Sequence, residues 1–232
     1  IWSADMAEII LALDVDSADA GRRLLDRLPD LRWVKVGSVL MTREGAPFLV
    51  ELRARGLELF IDLKWHDIPN TVAGAVSAAA ALGVSMATVH TLGGAAMLGA
   101  AQAAADGVGL VGVTVLTSHD ATAYAAATGR AEVELRGEVA RLAGVAAAAG
   151  LRGVVCSPAE VEVVRPALGA GAWIVVPGIR RAADAAGDQV RIATPREAAA
   201  RGATHLVVGR PILGAPNPTA VLAEFAAEAG AA

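Results

Sequence analysis

The chain has one cysteine, Cys156, in 232 residues. A single thiol excludes an internal disulfide framework and any cysteine-based zinc site, and it fits a reducing compartment, so a cytoplasmic protein is expected. A basic excess is also missing. Lys and Arg number 20 against 24 Asp and Glu, a net charge of −4, which argues against a nucleic-acid partner. Residues 1–7 lack a basic segment followed by a long apolar run, so they read as an extension ahead of the fold rather than a signal peptide. The most conspicuous absence is internal: residues 68–105 contain no Asp, Glu, Lys or Arg. Uncharged runs of this length raise the question of a membrane span. This one is rich in Ala and Gly rather than Leu, and it is interrupted by Pro69, Asn70, Ser77, Gly83, Ser85, His90, Gly93, Gly94 and Gln102. It therefore reads as a helix–strand–helix passage buried in a soluble protein, with no membrane partner.

What is present is a core. Hydrophobic residues make up 55% of the chain and charged residues 19%, which excludes disorder. Short apolar runs, mostly Val, Ile and Leu, fall at 9–15, 33–37, 57–64, 86–91, 110–116, 153–157, 173–179 and 205–211. That composition is expected of parallel strands covered on both faces. Helical patterns lie between them near 17–28, 42–55, 69–82, 94–105, 132–149, 158–168, 195–201 and 217–229. Ser17, Ser157-Pro158 and Thr194-Pro195-Arg196-Glu197 are helix-start signals. Gly56, Gly83, Gly150 and Gly202 stand where helices should stop. Eight strand–helix pairs in a chain of this length predict one domain over 1–232, a closed (β/α)8 TIM barrel, with a doubly wound open sheet as the alternative.

In such a barrel, function sits at the C-terminal ends of the strands. The first strand ends in Leu13-Asp14, the second carries Lys35, and the third ends in Asp62-Leu63-Lys64. Asp62 and Lys64, two apart, are expected on one face of their strand. Ionised side chains on apolar strands are costly unless paired. A structural ion-pair network closing the mouth is one reading. Catalysis is the favoured one, because buried ion pairs are poor stability devices and charge clusters mark functional sites. The seventh strand ends in Pro177-Gly178-Ile179-Arg180 and the eighth in Val208-Gly209-Arg210-Pro211. Barrels commonly bind phosphate at these two strand ends, where glycine admits a close backbone N–H and arginine a bidentate fork. The uncharged stretch after Asp67 predicts a covered helical face and hence a homodimer.

The run Asp62-Leu63-Lys64-Trp65-His66-Asp67-Ile68-Pro69-Asn70-Thr71 closely resembles the signature of the orotidine 5′-phosphate decarboxylase family, bacterial branch. Leu13-Asp14, Val34-Lys35-Val36-Gly37, Val115-Leu116-Thr117-Ser118, Gly187-Asp188-Gln189 and Gly209-Arg210-Pro211 extend the likeness from about residue 9 to 225. Trp65 departs from the family's usual Phe, and a change in local packing is expected there. The resemblance implies decarboxylation of orotidine 5′-monophosphate to uridine 5′-monophosphate without cofactor or metal. It implies that Lys64 donates the proton to C6 and that Asp62 lies against the departing carboxylate. Lys35 and Asp14 would bind ribose hydroxyls and complete the charge array. Asp67 would reach into the neighbouring subunit's site, with Ile68 and Thr71 beside it. Thr117 would contact the pyrimidine, Arg210, Gly209 and Arg180 the phosphate, and Gln189 would bridge phosphate and base. The segment 180–189 reads as the closing loop.

The Asp-x-Lys-x-x-Asp core is shared with keto-gulonate-phosphate decarboxylases, which use magnesium, and a catalytically silent nucleotide-binding barrel is a further alternative. His66 is read as structural, His90 as a residue that could line the mouth, and His119 and His205 as structural or exposed. Cys156 is read as core, and Tyr124 as a loop residue without a role.

Overall fold

The structure, a computed structural model, describes residues 7–181 and 192–230. Eight parallel strands close into a barrel in sequence order: β1 (Glu8–Ala12), β2 (Trp33–Gly37), β3 (Glu58–Trp65), β4 (Met86–His90), β5 (Gly109–Val113), β6 (Gly153–Val155), β7 (Trp173–Val176) and β8 (His205–Val208), with β8 pairing back onto β1. The helices are α1 (Ala18–Leu25), α2 (Ser38–Ala54), α3 (Pro69–Ala81), α4 (Gly94–Ala103), α5 (Ala121–Ala127), α6 (Leu135–Ala148), α7 (Val161–Leu168), α8 (Pro195–Ala200), α9 (Arg210–Leu213) and α10 (Pro218–Ala229). The barrel is the closed alternative, not the open sheet.

Strand residues alternate between two cores. Ile9 and Leu11 of β1, Val34 and Val36 of β2, and Leu59 and Ile61 of β3 pack outward against the helices. Ile10, Ala12, Trp33 and Phe60 point into the lumen with Met86, Val111, Val175 and Val207. Both faces are buried, which is why the strands read as unbroken apolar runs. The base of the lumen is an aromatic plug. Trp33, Trp173 and His205 open β2, β7 and β8, and their rings meet edge-on with centroids 5.1–6.2 Å apart. Gly109 and Gly153 make room for it: a Cβ at Gly109 would stand 2.1 Å from the Trp173 ring, and one at Gly153 1.9 Å from the Trp173 carbonyl oxygen.

The start signals act as expected. Ser17 caps α1 by accepting from the Ala20 N–H. Thr194 and Glu197 form a reciprocal capping box on α8, and Ser157 and Glu160 form one at the turn before α7. The four stop glycines take left-handed φ of 70–98°. The uncharged stretch resolves into α3, β4 and α4, and no helix among the described residues is long and apolar enough to cross a membrane.

Three readings are corrected. The second helix begins at Ser38, not 42, and runs through a break at Gly45 beside Pro47, so only its later part shows a continuous helical pattern. Tyr124 is not in a loop. It sits in α5, capped by Asp120, with its ring buried and its hydroxyl donating to Glu138 Oε1 at 2.9 Å. Ala-rich and uncharged, α5 offers no amphipathic pattern to read. Finally, β8 stops at Val208 and α9 starts at Arg210, so Gly209 is a turn between strand and helix.

Burial pushes the His205 imidazole down to about 4, with Arg32 and Arg152 adding to the effect. The folded chain thus refuses a proton that the unfolded chain accepts below about 6.5. Stability from His205 is complete above that value and is lost as pH falls from it toward 4. Between pH 7.5 and pH 5 this amounts to about 2 kcal/mol. Chemical denaturation at the two pH values should show the loss, and His205→Phe should reduce it by that amount, leaving the similar share that His90 contributes. An unchanged pH dependence in the variant would contradict the assignment.

Candidate active site

The inward parity of the first three strands continues into charged residues. Ala12 leads to Asp14, Trp33 to Lys35, and Phe60 to Asp62. Closure of the barrel brings these ends together. Lys35, only 8% exposed, places Nζ 3.3 Å from Asp14 Oδ1 and 3.5 Å from Asp62 Oδ2. Lys64 Nζ lies 2.8 Å from Asp62 Oδ1. The result is a row of alternating sign, Asp14–Lys35–Asp62–Lys64. Burial pushes the Asp62 carboxyl up, but the ammoniums of Lys35 and Lys64, with hydrogen bonds from Lys64 and Thr88, outweigh it and hold Asp62 below the usual carboxylate range. Asp62 is therefore ionised at neutral pH, and each lysine faces a full negative charge.

Lys64 reaches this position by an irregular route. β3 pairs with β4 through Ile61↔Ala87 and next through Trp65↔Val89, so β3 bulges over Asp62-Leu63-Lys64. Lys64, with φ of 51°, is the one non-glycine residue with positive φ among those described. A left-handed backbone at such a residue costs roughly 1–3 kcal/mol and persists only where its surroundings impose it. The sequence expectation that Asp62 and Lys64 share a face is met in outcome, since they touch, but by a bulge rather than a regular strand. Bulges re-aim side chains in this way. Thr88, passed over in the sequence, accepts the Lys64 N–H at 2.8 Å and donates to Asp62 Oδ1 at 3.2 Å. Its signal was a hydroxyl at an inward position of an apolar strand.

The row borders a cavity of about 520 Å³, within the range of small-molecule sites. Its floor is apolar, with Phe60, Val113, Val155, Val175 and Val207. On the side formed by β7 and β8 it is bounded by Gly178, Arg180, Gly209 and Arg210, and Thr117 joins from the loop after β5. Arg180 is buried and donates to the Ile179 carbonyl at 2.8 Å. Gly209 approaches the mouth closely, since a Cβ there would sit 3.4 Å from that of Ala12. The cavity thus combines a carboxylate–ammonium row on one flank with arginines and glycines on the other. That second flank has the donors an anionic group requires. Among the described residues, no group of three or more His, Cys, Asp or Glu is arranged to hold a metal ion.

Not every expected residue meets here. Asp67, Ile68 and Thr71 are exposed on the turn into α3 and do not line this cavity, and Asp67 Oδ1 accepts the Ile68 N–H at 2.6 Å. Gln189 and the closing-loop reading of 182–189 lie outside the described residues. His90 does not line the cavity either. It stacks on His66, ring centroids 5.3 Å apart, and burial together with His66 and Lys64 lowers its imidazole to about 4. Trp65 pairs with Val89 and packs, half-buried, against the outer core.

Fold and site together define a (β/α)8 barrel enzyme with a charged mouth. The chain belongs to the orotidine 5′-phosphate decarboxylase / HUMPS family, whose profile matches residues 7–225. It is 52% identical to the orotidine 5′-phosphate decarboxylase of Halorhodospira halophila, over 97% of this chain and 96% of that protein. It is 48% identical to the enzyme of the same name from Alkalilimnicola ehrlichii, over 97% of each. The crystal structure of orotidine 5′-phosphate decarboxylase from Lactobacillus acidophilus superposes with a TM-score of 0.85 at 34% identity, covering 96% of this chain and 98% of the other.

Proposed function

We propose that this chain decarboxylates orotidine 5′-monophosphate to uridine 5′-monophosphate in pyrimidine synthesis, without metal or cofactor, as a cytoplasmic homodimer. The observation that carries the reading is the contact of Lys64 Nζ with an ionised Asp62 at the edge of a cavity flanked by Arg180 and Arg210. Relatives carrying that activity in their names, at 48–52% identity over nearly the full chain, support it.

The chemistry follows from the charges. Breaking the bond between C6 and the carboxylate releases CO2 and leaves the electron pair on C6, in the plane of the ring, where no carbonyl accepts it. Stabilisation must come from outside the substrate. The Lys64 ammonium, fixed beforehand by Asp62, faces the developing charge and then gives C6 its proton, which solvent later restores. Preorganisation matters because no dipole has to turn as the charge forms. Asp62 lies against the departing carboxylate. Asp14 and Lys35 take the ribose hydroxyls, and Thr117 the pyrimidine. Arg210, the Gly209 N–H and Arg180 hold the phosphate, with Gln189 bridging phosphate and base. Phosphate is remote from C6, so its binding energy serves positioning at the reacting end.

Asp67, with Ile68 and Thr71, completes the neighbouring subunit's site. The support is their outward placement, the 67% exposure of Ile68 and 41% exposure of Leu92, and the uncharged α3–β4–α4 segment around them. An apolar surface of this kind is a candidate for cover by a second copy.

The activity is tested by following the loss of orotidine 5′-monophosphate absorbance in the presence of EDTA. Full turnover is expected. A chain that works only with added magnesium, or binds uridine 5′-monophosphate without turnover, contradicts the proposal. The shared site is tested by mixing Lys64→Ala with Asp67→Ala subunits under conditions where exchange is confirmed by mass spectrometry. About half of the dimers are then mixed, each with one intact site, so roughly a quarter of wild-type activity should return. Exchange without recovery would mean that Asp67 serves its own chain.

A further inference from the structure

Thr88 belongs to none of the roles assigned above, yet its hydroxyl touches both members of the central ion pair. It sits on β4 between Met86, which faces the lumen, and His90, and it is buried to 1% exposure. Opposite it, β3 makes the bulge that carries Asp62-Leu63-Lys64. A bulge leaves backbone groups without ladder partners, and a buried N–H so stranded needs another acceptor. The Lys64 N–H finds it in Thr88 Oγ1 at 2.8 Å. A hydroxyl has one proton to give, and this one goes to Asp62 Oδ1 at 3.2 Å. The same carboxylate oxygen receives Lys64 Nζ at 2.8 Å. Thr88 therefore joins the backbone of Lys64 to the carboxylate that its own side chain pairs with, and closes a three-membered circuit.

We propose that Thr88 is a positioning residue for the reaction, holding Lys64 in its left-handed conformation and aiming its ammonium at the reacting carbon. The proposal rests on the decarboxylase reading. Lys64 has φ of 51°, a conformation that a lysine does not keep by itself. With the hydroxyl removed, the N–H loses its acceptor and Asp62 loses a donor, and the backbone is free to relax toward a regular strand. The ammonium then moves away from the place where it meets C6. Substrate binding is affected little, because the arginines and glycines that bound the cavity follow β7 and β8, not the β3–β4 pair that Thr88 joins.

Thr88→Val keeps the shape and removes the hydroxyl. Thr88→Ser and Thr88→Ala both lose the methyl group and differ only in the hydroxyl, which keeps the comparison available should the valine variant fold poorly. For each, kcat and KM for orotidine 5′-monophosphate, affinity for uridine 5′-monophosphate and melting temperature are measured beside the wild type. The valine and alanine variants should lose about 10- to 100-fold in kcat, as misplaced catalytic groups do. Their KM and nucleotide affinity should stay within about threefold, and the serine variant should keep kcat within about threefold. A fully active Thr88→Val beside an active wild type overturns the role of Thr88 alone. So does an equal loss in the serine and alanine variants, or a loss that follows melting temperature and nucleotide affinity instead of kcat. A wild type without turnover overturns the decarboxylase reading, and the role of Thr88 with it.

Discussion

A carboxylate held between two ammonium groups organises this molecule. Asp62 is only partly exposed, yet Lys35 and Lys64 keep it ionised, and it in turn fixes where both lysines stand. Without Asp62, Lys35 would keep only the more exposed Asp14, and Lys64 would lose the carboxylate that holds it at the cavity edge. Clusters of buried charge are expensive ways to stabilise a fold. Here the expense falls at the one end of the barrel where a fixed positive charge is useful, and the row of Asp14, Lys35, Asp62 and Lys64 gives that charge a defined direction.

The rest of the barrel is arranged to tolerate this end. Below the charged row the lumen is apolar, and the Trp33–Trp173–His205 plug seals the opposite end. Two glycines on neighbouring strands admit the Trp173 side chain and backbone so closely that even a methyl group would collide. The outer core between strands and helices is continuous around the sheet. Stability is thus drawn from the base and the periphery, and the mouth is left to polar residues. The left-handed Lys64 in its bulge is local strain that such a frame can carry.

Much of this was legible in the residues because the strand and helix patterns differ plainly. Short apolar runs separated by helical patterns read as eight strand–helix units, and Asp14, Lys35 and the Asp62–Lys64 pair stood at the ends of three consecutive ones. The capping box at Thr194 and the N-cap at Ser157 were equally readable, since the residue types themselves make the hydrogen bonds. What was not legible has physical reasons. The bulge at Lys64 involves no glycine or asparagine, so no local preference announces it, and it is imposed by the pairing of β3 with β4. The helix around Tyr124 lacks charge and hence pattern. The strand ends at Val113 and Val176 are followed by further apolar residues, Val115-Leu116 and Ile179, so composition runs past the last ladder bond. A role for Asp67, Ile68 and Thr71 in a neighbouring subunit's site was implied by the family resemblance alone, because a partner for them is not contained in one chain's folding pattern.

The claim on which everything else turns is that the Lys64 ammonium acts on the charge that develops at C6 and contributes little to holding the nucleotide. Lys64→Ala addresses it directly, measured for turnover of orotidine 5′-monophosphate and, on the same preparation, for uridine 5′-monophosphate affinity. The expected result is a loss of turnover beyond the roughly 10²–10⁴-fold typical of a positioned acid, with nucleotide binding and melting temperature largely kept. A variant that retains turnover within about tenfold of the wild type would contradict the assignment of Lys64 as the proton donor.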